Sequence, residues 1–188
     1  MDATGDNHTT APTTPRPGRY AVDPARSSLS FRTRHLFGLL PVHGTFAVRG
    51  GTVVVAEPFT ASSVRAEVDA DSFRTGHTGR DTAVRSPRFL DTGRHPLITF
   101  TAENIGTAAP AGTVTADEGR PATIAGTLTA CGVSQPLTLA IGHAEVLADA
   151  FTVRARTRID RTAFGVTASR GLAGRHLDVT LEIRCVRA

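Results

Sequence analysis

Apolar and polar positions alternate with period two along most of this chain. Across residues 63–71, Val64, Ala66, Val68 and Ala70 fall on one side, and Ser63, Arg65, Glu67, Asp69 and Asp71 on the other. That spacing describes a strand with one dry and one wet face. The same rhythm predicts a strand over 27–35, where Leu29, Phe31, Thr33 and His35 share a face. It predicts another over 42–48, with Val42, Gly44, Phe46 and Val48 in phase. It returns over 97–103 (Ile98, Phe100, Ala102), over 123–130 (Ile124, Gly126, Leu128, Ala130) and over 151–160 (Phe151, Val153, Ala155, Thr157, Ile159). A last strand over 177–185 aligns Leu177, Val179, Leu181, Ile183 and Cys185. Residues 52–56 form a short apolar run, and 137–147 are apolar but mixed in phase.

Between these stretches the breaks are informative. Arg49-Gly50-Gly51 reads as a tight hairpin turn, because glycine takes positive φ at no steric cost. Residues 75–86 lose the alternation and stop at Pro87, which predicts one short helix over 78–85. A loop surrounds Pro110, and Gly44-Thr45-Phe46 with Gly50 echoes Gly126-Thr127-Leu128 with Gly132, read as one hairpin solution used twice. Residues 1–18, rich in Thr and Pro, read as a disordered tail, leaving 19–188 as the folded domain. The opening stretch has no apolar core of a secretory signal, so the expected location is cytoplasmic.

This is an all-β pattern. About eight antiparallel strands joined by short turns favour a closed barrel over a sandwich. One face of each strand then points into the barrel, where Phe31, Phe46, Phe100 and Phe151 alternate with Ala66, Ala70, Ala102, Ala155 and Gly126. Small residues among large ones leave room for a ligand; the alternative is that they fit a tapering, filled core.

Composition narrows the function. All 21 basic residues are arginine, which removes lysine Schiff-base chemistry. The net charge of +4 is spread along the chain, with no Trp and one Tyr, a poor match to nucleic-acid binding. No stretch is apolar for long enough to span a membrane as a helix. Cys131 and Cys185 form no C-x-x-C pair or zinc spacing, so no metal site is expected and free thiols are. No P-loop, dinucleotide fingerprint or nucleophile elbow occurs, and no cofactor is expected.

Several strings, in order, resemble the YceI-like family of polyisoprenoid-binding, lipocalin-like bacterial proteins. They are Tyr20-Ala21-Val22-Asp23-Pro24, Ser28-x-x-Phe31-x-x-x-His35-Leu36, Gly44-x-Phe46, and Phe73-x-Thr75-Gly76. They continue with Arg80-Asp81, Arg85-Ser86-Pro87, Phe89, His95-Pro96-x-Ile98-x-Phe100, Gly126-x-Leu128-Thr129, Gly132-Val133, Asp160-Arg161 and Phe164-Gly165-Val166. Ala83-Val84 departs from the usual His-Leu, Leu90 from the second Phe of Phe-Phe, and Cys131 from a basic residue. The resemblance implies an extended antiparallel eight-stranded lipocalin-like β-barrel with one short helix near an end. It also implies an apolar tunnel for an isoprenoid or similar lipid, with Phe31 and Phe46 on its wall and Phe89 and Phe100 as further candidates.

Among polar residues, His35 is in phase with Leu29 and Phe31, so it is a candidate for a ligand head group or acid/base role, or a histidine bonded to nearby backbone. Arg80-Asp81 reads as a helix-to-barrel anchor, against a His77–Asp81 dyad; Asp160-Arg161 reads as a similar corner clasp that could partner it. Arg154, Arg156 and Arg158 read as a wet face meeting Glu182 and Asp178. Two functions follow. In the first, the barrel carries or sequesters a long apolar ligand, with Phe31, His35, Phe46, Phe89, Phe100 and Phe151 as binding candidates and mouth arginines serving any diphosphate head. In the second, it is a cofactor-free cyclase or isomerase that folds a polyene, isoprenoid or polyketide, with His35, His43 and Cys185 the first catalytic candidates. The expected partner is an apolar small molecule or lipid, not nucleic acid, with no stable membrane insertion and a homodimer left open.

Overall fold

Alternating strands with one apolar face can bury it by curling into a closed sheet, and they do so here. A computed structural model describes residues 14–35, 39–105, 122–169 and 173–188. The strands are β1 (Gly18–Val22), β2 (Ser28–His35), β3 (Leu40–Val55), β4 (Ser63–Arg74), β5 (Leu97–Ala102), β6 (Ala122–Ala130), β7 (Val133–Val146), β8 (Ala150–Asp160) and β9 (His176–Arg187). All pairings are antiparallel, in the order β3-β2-β9-β8-β7-β6-β5-β4, and β4 returns to β3 to close the ring.

The barrel is eight-stranded because β1 and β2 share one position. β2 lies between the first half of β3 and β9, with Phe31 opposite Gly44 and Val179. β1 lies between the second half of β3 and the end of β9, with Tyr20 opposite Val53 and Arg187. A short 3-10 turn, Pro24–Arg26, breaks the position, with the Asp23 side chain accepting from Ala25 N at 3.0 Å. β1 did not emerge from the alternation: five residues carry only two buried positions, Tyr20 and Val22. Residues 14–17 of the expected tail lie against the domain; Tyr20 Oη donates to Arg16 O at 2.9 Å, and Arg187 Nη2 to Pro17 O at 3.1 Å. Residues 1–13, and the loop around Pro110, lie outside the described residues.

Arg49-Gly50-Gly51 is not a hairpin. β3 runs through it as one bent strand, with register shifts against β4 between Thr45 and Ala47 and between Val48 and Gly50. Glycine serves close approach here: a Cβ on Gly51 would run into Arg65 O and stand 2.9 Å from Ala66 Cα. The hairpin at the matching point of the echo is real, since Cys131 (φ 52) and Gly132 (φ 75) form the two-residue connection between β6 and β7. What the two halves of the echo share is different. Phe31 lies across Gly44, and Phe100 lies across Gly126, each ring occupying the space of the missing side chain.

The helix α1 spans Thr78–Arg85, as the sequence predicts. His77 Nδ1 accepts from Arg80 N at 3.2 Å and caps it; Ser86 turns extended because Pro87 follows. Tyr20, 1% exposed, anchors an apolar cluster with Phe151, Val146 and Cys185 at the barrel end away from α1. No helix among the described residues is long and apolar enough to cross a membrane.

Candidate functional site

The inward positions do not fill the barrel. They enclose a cavity of about 1080 Å³, at or slightly above the upper range of small-molecule sites. Every barrel strand contributes to its wall: Phe31 from β2, Phe46 from β3, Ala66 from β4, Phe100 from β5, Leu128 from β6 and Leu139 from β7. β8 adds Phe151, Val153 and Ala155, and β9 adds Leu181 and Ile183. Near α1, the rings of Phe31, Phe46 and Phe73 pack mutually with centroids 5.3 to 5.6 Å apart.

Polar groups on the wall are largely taken up by the fold. Thr33 Oγ1 donates to His176 O at 2.7 Å, and Thr157 Oγ1 to Thr138 O at 2.8 Å. Ser62 Oγ accepts from Ala56 N at 3.0 Å. Satisfied hydroxyls present little demand for water, so the wall behaves as an apolar surface.

The charged wall residues all lie toward the α1 end: Arg34, Arg80, Arg88 and Arg161. Arg161 is held in place by three carbonyls, donating from Nε to Gly174 O (2.8 Å), from Nη1 to Val166 O (2.6 Å) and from Nη2 to Ala173 O (3.1 Å). Its neighbour Asp160 accepts from Thr162 Oγ1 at 2.6 Å, and Arg175 Nε lies 2.8 Å from Asp160 Oδ2. The Arg175 bond, with Thr162 second, holds the Asp160 carboxyl well below the usual carboxylate range. Asp160 and Arg161 therefore clasp the β8 corner to the segment before β9.

Asp81 is buried and accepts from Thr75 N (3.0 Å) and Thr75 Oγ1 (2.6 Å), tying α1 to the end of β4. Burial pushes its carboxyl up, but the Thr75 bonds and the nearby Arg85 and Arg80 outweigh this and hold it below its ordinary value. His77 is occupied with its capping bond, so His77 and Asp81 serve separate structural tasks. The arginine that reaches from α1 to the barrel is Arg85, whose Nη2 donates to Phe73 O at 2.6 Å.

Of the catalytic candidates, His43 and Cys185 do not converge. His43 is exposed beside buried Val42 and is absent from the cavity wall. Cys185 lines the cavity at the end away from α1, 1% exposed, and burial pushes its thiol up to about 12. So little thiolate exists there at neutral pH. The His35 backbone pairs with Leu40, and its side chain lies outside the described residues. Of the binding candidates, Phe31, Phe46, Phe89, Phe100 and Phe151 all line the cavity. No group of three or more His, Cys, Asp or Glu among the described residues could hold a metal.

Alternation missed Phe73. The pattern ends at Asp71 because β4 bulges: between its pairings at Asp69 and Arg74 it carries extra residues against β3. Ser72 fills the gap, accepting from Ala47 N at 2.7 Å and donating to Asp69 O at 2.5 Å. The bulge moves the inward phase from Ala70 to Phe73. The only signal for Phe73 lay in the string Phe73-x-Thr75-Gly76.

The model of the YceI-like domain matches residues 20–186, from the first strand of the barrel into the last. The chain belongs to the YceI-like family. Protein YceI of Escherichia coli O6:H1 is 34% identical over 112 residues, 59% of this chain and 53% of that protein. Protein YceI of Salmonella arizonae is 33% identical over the same length and shares. The matched stretch thus spans about half the length of these curated relatives. Among solved structures, Burkholderia cenocepacia BcnA superposes with a TM-score of 0.69 at 22% identity, covering 87% of this chain and 98% of that one. A polyisoprenoid binding domain from Saccharophagus degradans, implicated in plant cell wall breakdown, superposes with a TM-score of 0.67 at 16% identity, covering 90% and 98%. At these identities the two solved structures establish the closed antiparallel barrel and no more.

Proposed function

We infer that this barrel binds a long apolar molecule, an isoprenoid or similar lipid chain, in its cavity and carries or sequesters it. The observation that carries this reading is the wall itself: a space of about 1080 Å³ within the barrel whose strand-borne lining is almost wholly apolar. Burial of a chain there contributes about 0.8 kcal/mol per methylene, so a prenyl tail gains affinity along its length with few polar contacts. Membership of the YceI-like family supports the reading, as does the polyisoprenoid binding described for the Saccharophagus degradans domain.

Native mass spectrometry of the protein purified from its own host tests it, together with displacement of a fluorescent apolar probe by geranylgeraniol. An intact prenyl lipid that co-purifies, and probe displacement, is the expected result. Protein that arrives empty and releases no probe to geranylgeraniol would sink the proposal.

A further inference from the structure

We propose that the outer wall of the barrel carries a second binding site, for a small organic oxyanion, built on β7, β8, β9 and the turn between β1 and β2. Arg184 and Arg26 take its carboxylate or phosphate, and Glu145 takes a hydroxyl or ammonium donor beside it. The site is separate from the apolar cavity and does not depend on what the cavity holds.

The site is a polar hollow of about 310 Å³, within the size range of small-molecule pockets. Strand register explains its shape. Thr152 of β8 lies between Glu145 of β7 and Arg184 of β9, and in the next row Arg154 lies between His143 and Glu182. Glu145 and His143 reach this face because the register of β7 shifts between Ile141 and His143. A short side chain ringed by long ones leaves a hollow with Thr152 at its floor. The alternate residues Val153 and Ile183 line the apolar cavity, so one layer of sheet separates the two spaces. The break between β1 and β2 forms the remaining side. Asp23 N donates to Arg184 O at 2.9 Å, and Arg184 N donates to Ser27 Oγ at 3.1 Å. Both backbone groups of Arg184 thus hold the turn against β9, which brings Arg26 to the hollow. Asp23, the acid of this turn, accepts from Ala25 N through Oδ1.

Charge is matched in one row of the hollow and unmatched in the other. Arg154 and Glu182 are direct cross-strand partners, with Nε 2.8 Å from the carboxylate. Glu145 and Arg184 stand two strand spacings apart, about 10 Å between their Cα atoms, so they do not meet in the same way. Arg184 Nε is shielded from solvent and has no hydrogen-bond partner among the described residues. The side chains of Arg26 and Glu145 form no hydrogen bond or ion pair among them either. A shielded guanidinium N–H without an acceptor is costly, and an oxyanion supplies the acceptor with charge assistance. With Arg154 and Glu182 cancelling, Arg26 and Arg184 outweigh Glu145, so the hollow favours an anion. Glu145 repels a bare anion and rewards one that carries its own donor, which selects a hydroxylated or aminated acid over a simple ion.

Titration calorimetry and amide NMR shifts test this with α-glycerophosphate, glycerate, inorganic phosphate and glycerol as probes, at constant ionic strength and with an apolar fluorescent probe in the cavity. Saturable binding of α-glycerophosphate or glycerate in the millimolar range or tighter is expected, with shifts centred on Thr152 and Arg184. Either one supports the site, and the tighter of the two names the acid group. Inorganic phosphate should bind more weakly, glycerol should not bind, and the apolar probe should stay in place. Arg184→Gln shortens a half-buried side chain, so the exposed Arg26→Gln is tested beside it, each with its melting temperature. Each should weaken the organic anion by about tenfold or more, the size of one charge-assisted hydrogen bond. Glu145→Ala should erase the preference over inorganic phosphate, and Arg156→Gln, on the same wall outside the hollow, should bind as wild type does. The proposal is overturned if neither organic anion binds saturably, or if binding survives Arg26→Gln and Arg184→Gln unchanged. Inorganic phosphate bound as tightly as the organic anions overturns it too, since Glu145 would then select nothing. Displacement of the apolar probe would place the anion in the cavity and equally overturn it.

Discussion

Asp160 shows what one carboxylate does for this barrel. Hydrogen bonds from Arg175 and Thr162 hold its pKa well below the usual range, so the folded state favours the charged form. A depressed carboxylate contributes stability above its unfolded pKa of about 4 and loses it as pH falls through the folded value. Asp160→Asn keeps the size and capping ability of the side chain but removes the charge facing Arg175. The variant should melt below wild type at pH 7, and the gap should narrow as pH falls below the unfolded carboxylate value toward the lower folded one. Thermal denaturation at a series of pH values measures this; a gap that does not depend on pH would show that the Arg175 pairing contributes nothing. Asp81 follows the same sign, since it too is held low by Thr75. Cys185 runs the other way: burial keeps it a thiol, and it acts as a small apolar wall residue.

At the scale of elements, the departures from ideal strands decide which side chains enter the cavity. β7 points Leu137, Leu139 and Ile141 inward, then Ala144 and Val146. The phase changes because Gly142 is an extra residue: Ile141 pairs with Ala155, and His143 with Arg154. Gly142 has no φ in the left-handed region, and the nearest atom to an added Cβ is Arg154 O at 4.0 Å. Gly142→Ala should therefore stabilise the protein by about 0.4–1 kcal/mol through the unfolded state. Gly44→Ala should instead cost about 1–3 kcal/mol, because its Cβ would meet the Phe31 ring and stand 2.6 Å from Arg74 O. Urea denaturation of the pair tests both, and equal effects would show that the two glycines are not doing different jobs. The bulge also marks what was legible beforehand. Where pairing is regular, as in β8 and β9, alternation assigned each inward residue correctly. It left β7 mixed in phase, as the bulge there makes it, and it failed at the β4 bulge, at the corner of β3 and at β1, because those features depend on how a strand pairs with its neighbours and not on its own spacing. The ring over Gly44 was likewise invisible from spacing alone, since it is a relation across strands.

For the whole molecule, the eight-stranded ring makes the interior a single volume, so one obstruction should be felt along it. Ala66 is half-buried on the cavity wall, opposite Phe100 in register. Ala66→Trp should weaken apolar-probe binding by about tenfold or more, since a few methylenes of ligand lose their place. Probe titration beside a melting curve checks it; a folded variant with unchanged binding would place the ligand outside the barrel. The same closure has a consequence for how the chain is made. β1 and β2 both pair with β9, so the first strands to leave the ribosome wait for the last. Until then the growing meander has two open edges and an uncovered apolar face, and non-local closure of this kind is slow. The interval between the synthesis of β2 and that of β9 is therefore when this protein is most exposed to aggregation, and when a chaperone has most to offer it.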